Sequence, residues 1–202
     1  MIQKYNLEFC FKGNRTYVQG PDIFDAVIEK LKKDYHLSQL KDVKYAAHDM
    51  LLTNADLIII EEFNKDDYEQ INSVITFKID NKKYYAIVVK NLNKIECVND
   101  YSEEIVRTKS IINGSKIIFE NILDNSLAEL TVSMNKYFLQ QTISENGKWI
   151  VTKIEYTNLI DTMNITNKKL SLEITNNFNN KLTKSIIRVD NQIVGYLYFS
   201  LI

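Results

Sequence analysis

The protein has 202 residues, a formal net charge of −1 and 45% hydrophobic residues. A chain of this length can bury roughly 70% of its unfolded surface, and this composition excludes an intrinsically disordered chain. The balanced charge provides no field that would draw the protein to nucleic acid or to an anionic membrane. No run approaches the roughly 18 apolar residues of a membrane span, and the first residues lack a secretory pattern, so we expect a soluble, cytoplasmic protein.

The cysteines give no indication of a metal site, no cofactor is predicted, and the acidic residues offer a metal site only as the alternative to a solvated loop. Cys10 and Cys97 are far apart and are not in a C-x-x-C spacing, which predicts two reduced, partly buried thiols. Acidic residues are concentrated at 61–67. Clustered carboxylates are rarely buried without partners, so this stretch is predicted to be a solvated loop.

The first half of the chain has the pattern of strands around one helix. Residues 5–11 alternate in polarity, turn residues follow at 12–14, and residues 16–18 are β-branched or aromatic, which together predict a hairpin over 5–18. Residues 20–31 carry apolar side chains at helical spacing after Gly20-Pro21-Asp22, residues that suit the start of a helix. Extended patterns follow, the last two joined through 80–83; they cover residues 43–52, 57–61, 71–79 and 84–89.

The second half has the same order of patterns. Asn113-Gly114 lies between the β-rich runs 106–112 and 116–119 and predicts a hairpin. A helical pattern follows from about Asp124, with Asp124 or Ser126 as its cap. Four further β-rich runs close the chain, at 149–156, 170–174, 182–189 and 193–201.

The two halves can be superposed as a tandem repeat. Residues 77–81 align with 187–191 at an offset of 110, and Gly13 aligns with Gly114 at an offset of 101. We therefore predict an α+β protein of two similar units, 1–98 and 99–202, packed together as a pseudo-dimer. The alternative is a single mixed α+β domain with two unrelated helices.

This order of elements resembles the hotdog fold, in which an antiparallel sheet wraps around one long helix, and two such units resemble a double-hotdog protein. The resemblance covers nearly the whole chain. It implies a site for an acyl thioester, carried on coenzyme A or on acyl carrier protein, between the two units beside the helix starts. Enzymes of this superfamily are mainly thioesterases and hydroxyacyl dehydratases.

The catalytic patterns of those enzymes are only partly matched. The dehydratases place a His ahead of the helix and a carboxylate on the partner helix, whereas both histidines here, His36 and His48, follow the first helix. Some thioesterases carry His-Gly-Gly at the helix start or an acidic residue near the helix. The present chain has Gln19-Gly20-Pro21-Asp22 and keeps only the acid.

Three residues are candidates for acid–base chemistry. Asp22 could orient a hydrolytic water or could simply cap its helix. His48 could act as a base, but neighbours on a strand point to opposite faces, so it cannot pair directly with Asp49 and could equally be structural. Glu129, on the second helix, is the candidate acid, and its matching position in the first helix is near Val27.

Asn14 and Arg15 are candidates for binding a phosphate of coenzyme A. They follow Gly13, and a turn exposes backbone amides while an Arg side chain binds phosphate through two parallel hydrogen bonds. Turn chemistry alone is the alternative explanation for Gly13 and Asn14.

Three functions are compatible with these patterns. The first is a binding protein for an acyl thioester or another lipid-like ligand, with little or no catalysis. The second is a thioesterase or dehydratase that uses Asp22, His48 or Glu129. The third is a protein-interaction module with aromatic anchors on an exposed sheet, supplied by Tyr84, Tyr85, Tyr196 and Tyr198. Self-association stays open.

Overall fold

The computed structural model describes residues 3–120, 126–159 and 167–202. Contacts between residues divide the chain into two units, Met1–Ser102 and Glu103–Ile202. Each unit contains an antiparallel sheet and one long helix, so the protein is α+β. No helix among the described residues is long and apolar enough to cross a membrane.

Unit 1 combines a five-stranded antiparallel sheet with helix α1. The sheet has the order β1-β4-β6-β5-β3, and a short parallel pair, β2 with β7, lies outside it. The elements are β1 (Gln3–Leu7), β2 (Phe11–Lys12), α1 (Gly20–Leu31), β3 (Lys41–Ala47), β4 (Thr53–Ile60), β5 (Ile71–Ile79), β6 (Lys82–Lys94) and β7 (Val98–Asn99).

Helix α1 forms where the apolar spacing predicts it. Pro21 occupies its first turn, where a missing amide hydrogen costs nothing. The apolar side is buried, and the ring of Phe24 meets the ring of Tyr45 on β3 edge-on, with the centroids 6.5 Å apart. Tyr45 is buried, and this burial raises the pKa of its phenol.

The hairpin predicted from residues 5–18 is wrong. Strand β1 pairs with β4, and β2 pairs with β7 in parallel. Between the strands the backbone amide of Phe9 donates to the side-chain oxygen of Asn54, 2.8 Å away. Alternation predicted extended segments here, but it could not show that their partners lie tens of residues away.

The β5–β6 hairpin confirms the prediction made from its turn residues. Asp80 and Asn81 both have positive φ, 48° and 65°, which is the backbone of a two-residue turn that matches strand twist. The acidic stretch is also a loop as predicted, with a short 3₁₀ turn at Lys65–Asp67.

Unit 2 has a six-stranded antiparallel sheet with the order β10-β13-β12-β11-β9-β8. Helix α3 packs on this sheet, with its contacts on β9, β10 and β11. The elements are α2 (Glu104–Lys109), β8 (Ser110–Asn113), β9 (Lys116–Phe119), α3 (Leu127–Thr142), β10 (Trp149–Asn158), β11 (Leu170–Phe178), β12 (Leu182–Val189) and β13 (Gln192–Leu201).

Two predictions for the start of unit 2 have different outcomes. The strand predicted at 106–112 is wrong in its first part, because residues 104–109 form α2. Glu104 in its first turn and Arg107 and Lys109 in its last turn complement the helix dipole. The Asn113-Gly114 hairpin is confirmed: β8 pairs with β9, and Gly114 has a φ of 57°.

Helix α3 begins at Leu127. Its cap is Ser126, which is one of the two predicted caps. The Ser126 hydroxyl accepts a hydrogen bond of 2.9 Å from the backbone amide of Glu129. The other predicted cap, Asp124, lies outside the described residues.

The sheets of the two units differ in strand order, and connection length explains the difference. In unit 2, β11 and β12 are joined through Asn179 and Asn180, which both have positive φ, so the two strands must be neighbours. In unit 1, the connection from β4 to β5 spans residues 61–70, which leaves room for β6 to pair between them. The equivalence of the two halves as hotdog copies therefore stays a prediction.

The prediction of two reduced cysteines is wrong, because Cys10 and Cys97 form a disulfide. Parallel pairing of β2 with β7 places residues 11 and 98 opposite each other, and the preceding cysteines have their Cα atoms 4.8 Å apart. Sequence spacing could not reveal this register. Disulfides are rare in the cytosol, so the cysteines do not support the predicted cytoplasmic location.

Removing the disulfide should destabilise the protein. The two cysteines are separated by 87 residues along the chain. Closing a loop of this size lowers the entropy of the unfolded chain and stabilises the folded protein by about 4.5 kcal/mol. We expect the Cys10→Ala/Cys97→Ala variant to lose much of this free energy of unfolding, measured by urea denaturation. Treatment of the wild type with dithiothreitol should give the same loss. Free thiols found by mass spectrometry in the untreated protein would contradict the pairing.

Gly195 on β13 should be intolerant of any side chain. A Cβ at this position would lie 2.0 Å from the backbone oxygen of Glu155 on the neighbouring strand β10. We expect Gly195→Ala to cost about 3 kcal/mol in thermal or urea unfolding through this overpacking. Gly114→Ala is the matched control: a Cβ there has nothing within 4 Å, so only its positive φ is penalised, at about 1 kcal/mol. Equal losses for the two variants would refute the close-approach argument.

Candidate functional site

Charged and aromatic residues gather at the start of α1 in unit 1. This group, the helix-start cluster, consists of Lys12, Arg15, Asp22 and Tyr101. Lys12 ends β2, and Asp22 lies in the first turn of α1. Tyr101 follows β7, which β2 holds alongside itself by parallel pairing. Lys12, Arg15 and Asp22 are therefore close together in the sequence, whereas Tyr101 reaches them through the pairing of β2 with β7.

Asp22 is ion-paired. Its Oδ1 is 2.7 Å from the Lys12 Nζ, and the two side chains are only 17% and 20% exposed. The helix begins after Gln19, whose side chain makes no capping hydrogen bond. The pairing matters because a carboxylate this far from solvent is stable only beside a positive charge.

Arg15 and Lys12 both lie over the ring of Tyr101. The Arg15 guanidinium carbon is 4.7 Å from the ring centroid, and the Lys12 Nζ is 5.1 Å from it. Arg15 Nη1 also donates to the Lys12 backbone oxygen, at 3.3 Å. Gly13, with a φ of 59°, makes the turn, and Asn14 is exposed beside it. Since Lys12 is paired with Asp22, the Arg15 guanidinium is the cation of this group that suits an anion such as a phosphate.

His48 lies just beyond β3 and not within it, which corrects the predicted strand at 43–52. Its backbone amide and that of Asp49 donate to the Asn72 backbone oxygen, at 2.8 and 3.2 Å. The Asp49 carboxylate is paired with Lys90, so it is not the partner of His48. Partial burial and, to a lesser extent, the Lys65 ammonium lower the pKa of His48.

Glu129 lies in the first turn of α3 in unit 2 and is half-buried. Asp22 and His48 lie in unit 1, and their contacts among the described residues involve different neighbours. The structure does not bring these two into hydrogen-bond contact. Catalytic roles for the three residues stay predictions.

Within the part of the chain that the structure describes, no group of three or more His, Cys, Asp or Glu side chains could hold a metal ion. The acidic loop at 61–67 is included in that part.

Unit 2 contains buried polar side chains that sequence analysis missed. Thr183 and Ser185 on β12 and Asn135 on α3 are all fully buried. Their hydroxyls and both amide atoms of Asn135 have no hydrogen-bond partner among the described residues. Leaving one such group unpaired costs about 1–3 kcal/mol, so an unseen partner, water or ligand, is the ordinary explanation.

The packing of α3 on β10 and the strand register relate Asn135 on α3 to Ser185 on β12. Only residues 143–148 join α3 to β10, so helix and strand run in opposite directions. The hydroxyls of Thr131 and Tyr156 are 3.3 Å apart, which brings the first half of α3 against β10. Asn135 lies about 6 Å further along α3, and Ile154 lies about 7 Å back along β10.

Strand register extends from Ile154 to Ser185. Ile154 pairs with Leu197, and Leu197 pairs with Ser185. Ser185 therefore lies on the second strand from β10, in register with Ile154. The sequence did carry a signal for Ser185, because Thr183, Ser185, Ile187 and Val189 alternate on the face that is buried.

The lowered pKa of His48 should make stability depend on pH. The folded protein favours the neutral ring, so below the ordinary His pKa of about 6.5 the unfolded chain binds more protons. The contribution of His48 is complete above that pH and is lost as pH falls through the folded pKa. We expect the free energy of unfolding to fall from pH 7.5 to 5.5, and to fall less in His48→Gln.

An NMR titration checks this pKa directly. In a His36→Gln background the remaining imidazole should titrate below pH 6.5, and Lys65→Gln should move the midpoint upward. A midpoint above 6.5 would contradict the assigned effects of burial and charge.

Comparison with known proteins identifies the fold. No protein-family model matches the sequence, and no curated protein matches it. Solved structures do match over nearly their whole length.

Three of these structures show which kinds of protein have a similar fold. A conserved protein of unknown function with the hot dog fold from Alicyclobacillus acidocaldarius is 8% identical, with a TM-score of 0.53, and the match covers 100% of this chain and 93% of that one. A trans-AT PKS dehydratase domain from Brevibacillus brevis is 7% identical, with a TM-score of 0.56 and coverage of 100% and 94%. An acyl-ACP thioesterase from Bacteroides thetaiotaomicron is 8% identical, with a TM-score of 0.50 and coverage of 100% and 98%.

At these identities the similarity is one of fold, and it agrees with the helix-on-sheet packing of both units. The chain is therefore a hotdog-fold protein.

Proposed function

We propose that the protein binds an acyl thioester and catalyses little or no reaction on it. The observation that carries the proposal is the set of fully buried, unpartnered polar atoms of Asn135 and Ser185, beside the long helix of a hotdog-fold unit. Such atoms suit a ligand that is mostly apolar but has a polar group within it. The names of two similar structures, an acyl-ACP thioesterase and a PKS dehydratase domain, point to the same class of compound.

The chemistry of these side chains fits a thioester. Its carbonyl oxygen accepts hydrogen bonds, and the Asn135 amide and the Ser185 hydroxyl are both donors. The acyl chain would pack against the apolar residues of the inner sheet face, which include Leu197 and Phe199. The thioester would be carried on coenzyme A or on acyl carrier protein.

The helix-start cluster supports a related proposal. Arg15, held against Tyr101, and the neighbouring Asn14 are the proposed contacts for a phosphate of the carrier. The stacked guanidinium is already oriented, so less side-chain entropy is lost on binding.

Catalysis by a thioesterase or hydroxyacyl dehydratase mechanism is the second candidate. It requires at least two of Asp22, His48 and Glu129 to meet at one bound ligand. Asp22 is held by Lys12, and His48 contacts other neighbours, which favours the binding role.

Binding should be visible as thermal stabilisation by acyl-coenzyme A esters of several chain lengths. At a hundred times its Kd a ligand adds about 2.7 kcal/mol, which shifts Tm by several degrees. Asn135→Leu should abolish the shift, yet raise the Tm of the free protein, because it removes an unsatisfied buried amide.

Gln140→Leu is the matched control for that variant. It removes an amide from the exposed part of the same helix, so ligand stabilisation should stay unchanged. An undiminished shift in Asn135→Leu, or no shift with any ester in the wild type, would overturn the proposal.

Release of the coenzyme A thiol in the same samples separates binding from catalysis. We expect no release above the uncatalysed background. Release that disappears in Asp22→Asn, His48→Gln or Glu129→Gln would instead establish the enzyme alternative and identify its acid–base residue.

A further inference from the structure

The outer face of the unit 2 sheet carries a row of alternating lysines and tyrosines. Along β13, Leu197 and Phe199 are buried on the inner face, so Tyr196 and Tyr198 lie on the opposite one, where both are half-exposed. Lys153 on β10 and Lys184 on β12 both pair directly with Tyr198. We call these four residues the lysine–tyrosine face.

The lysines of this face are held by the rings. The Lys184 Nζ is 4.3 Å from the centroid of Tyr196 and 5.5 Å from that of Tyr198. The Lys153 Nζ is 5.0 Å from the Tyr198 centroid on the other side. Both ammonium groups are therefore oriented before any partner arrives, which lowers the entropy lost on binding.

The charge on this side of the sheet is positive, although the whole chain has a net charge of −1. The outward positions next to the row add Lys116 and Arg188, which both pair with Glu173. Glu155 pairs with Lys153 at 2.7 Å and accepts a hydrogen bond from the Tyr198 hydroxyl. Four cations thus face two carboxylates, an excess of two.

Lys184 is the member of this group without a carboxylate partner among the described residues. The contacts of its ammonium group there are the two tyrosine rings. A ring attracts a cation but does not neutralise it, so the ammonium can still pair with an incoming anion.

The tyrosines of β6 in unit 1 pack against aromatic rings of their own unit. Tyr85 packs on Phe63 with the ring centroids 5.4 Å apart, and Phe63 comes from the long 61–70 connection. Tyr84 stacks on Phe77 at 5.6 Å. The two-residue connection between β11 and β12 supplies no such cover in unit 2.

The chemistry of the face selects its partner. Nucleobases bind by stacking on free aromatic faces, but here the lysines occupy the faces of Tyr198 and Tyr196. Glu155 holds the Lys153 ammonium and the Tyr198 hydroxyl, so the Lys184 ammonium and the Tyr196 hydroxyl are the groups of this face that remain to pair with a carboxylate. We propose that the lysine–tyrosine face docks an acidic, carboxylate-rich segment of a partner protein, independently of the proposed acyl-thioester binding.

A fluorescent oligoglutamate peptide of about 20 residues is the probe, with binding followed by anisotropy at low and at physiological salt. Lys184→Gln should weaken binding about five-fold, the effect of one partly screened ion pair, and should reduce the salt dependence. Lys184→Arg should restore binding, because it keeps the charge and stacks on the same rings.

Lys83→Gln is the matched control. Lys83 in unit 1 lies over Tyr85 at 4.6 Å, so the substitution removes the same charge and the same kind of ring contact. Unchanged binding by this variant is expected. An equal loss in both variants would mean that net charge alone attracts the peptide, and it would overturn the proposal.

An oligouridylate of similar length tests the competing class of ligand. We expect it to bind more weakly than the peptide and without sensitivity to Lys184→Gln. Tighter, Lys184-dependent binding of the oligouridylate would overturn the proposal in favour of a single-stranded nucleic acid. A Tm within about 2 °C of wild type checks that each variant is folded.

Discussion

Each unit of this protein depends on the burial of one long helix against the inner face of an antiparallel sheet. The contact of Phe24 with Tyr45 joins helix and sheet in unit 1, and the contact of Thr131 with Tyr156 joins them in unit 2. Burial of a large apolar side chain is worth about 1.5–3 kcal/mol, so a helix with five or more of them fixes which sheet face turns inward. Every outward position, including the lysine–tyrosine face, follows from that choice.

The two helices differ in what they bring to this layer. The buried residues of α1 are all apolar, whereas those of α3 include Thr131, Ser133 and Asn135. Of these, Asn135 has no hydrogen-bond partner among the described residues, and an unpaired buried amide lowers stability, so its place inside unit 2 is better explained by a ligand or water than by folding. The charged groups of unit 1 lie instead at the start of α1, where the disulfide and the β2–β7 pair hold the chain.

Local patterns were sufficient for elements whose cause is local. The apolar spacing of residues 20–31 predicted α1, and Asn113-Gly114 and Asp80-Asn81 predicted turns that the structure contains. The β-branched residues of 106–112 favour a strand, whereas the charges at both ends of 104–109 favour the helix that forms there. Of the candidate site, the sequence indicated Asp22, Arg15 and His48 by residue type, but it missed Asn135 and Ser185.

By itself the sequence determined the α+β class, the long helices and the tight turns, because each depends on residues within one or two turns of chain. Only the tertiary structure decided the partners of β1 and β2, the pairing of Cys10 with Cys97 and the ion pair of Asp22 with Lys12. It also decided the different strand orders of the two sheets: the two-residue turn makes β11 and β12 neighbours, whereas the long connection from β4 to β5 leaves room for β6 between them. These contacts join residues whose separation along the chain carries no signal, since loop closure costs little more for a long connection than for a short one.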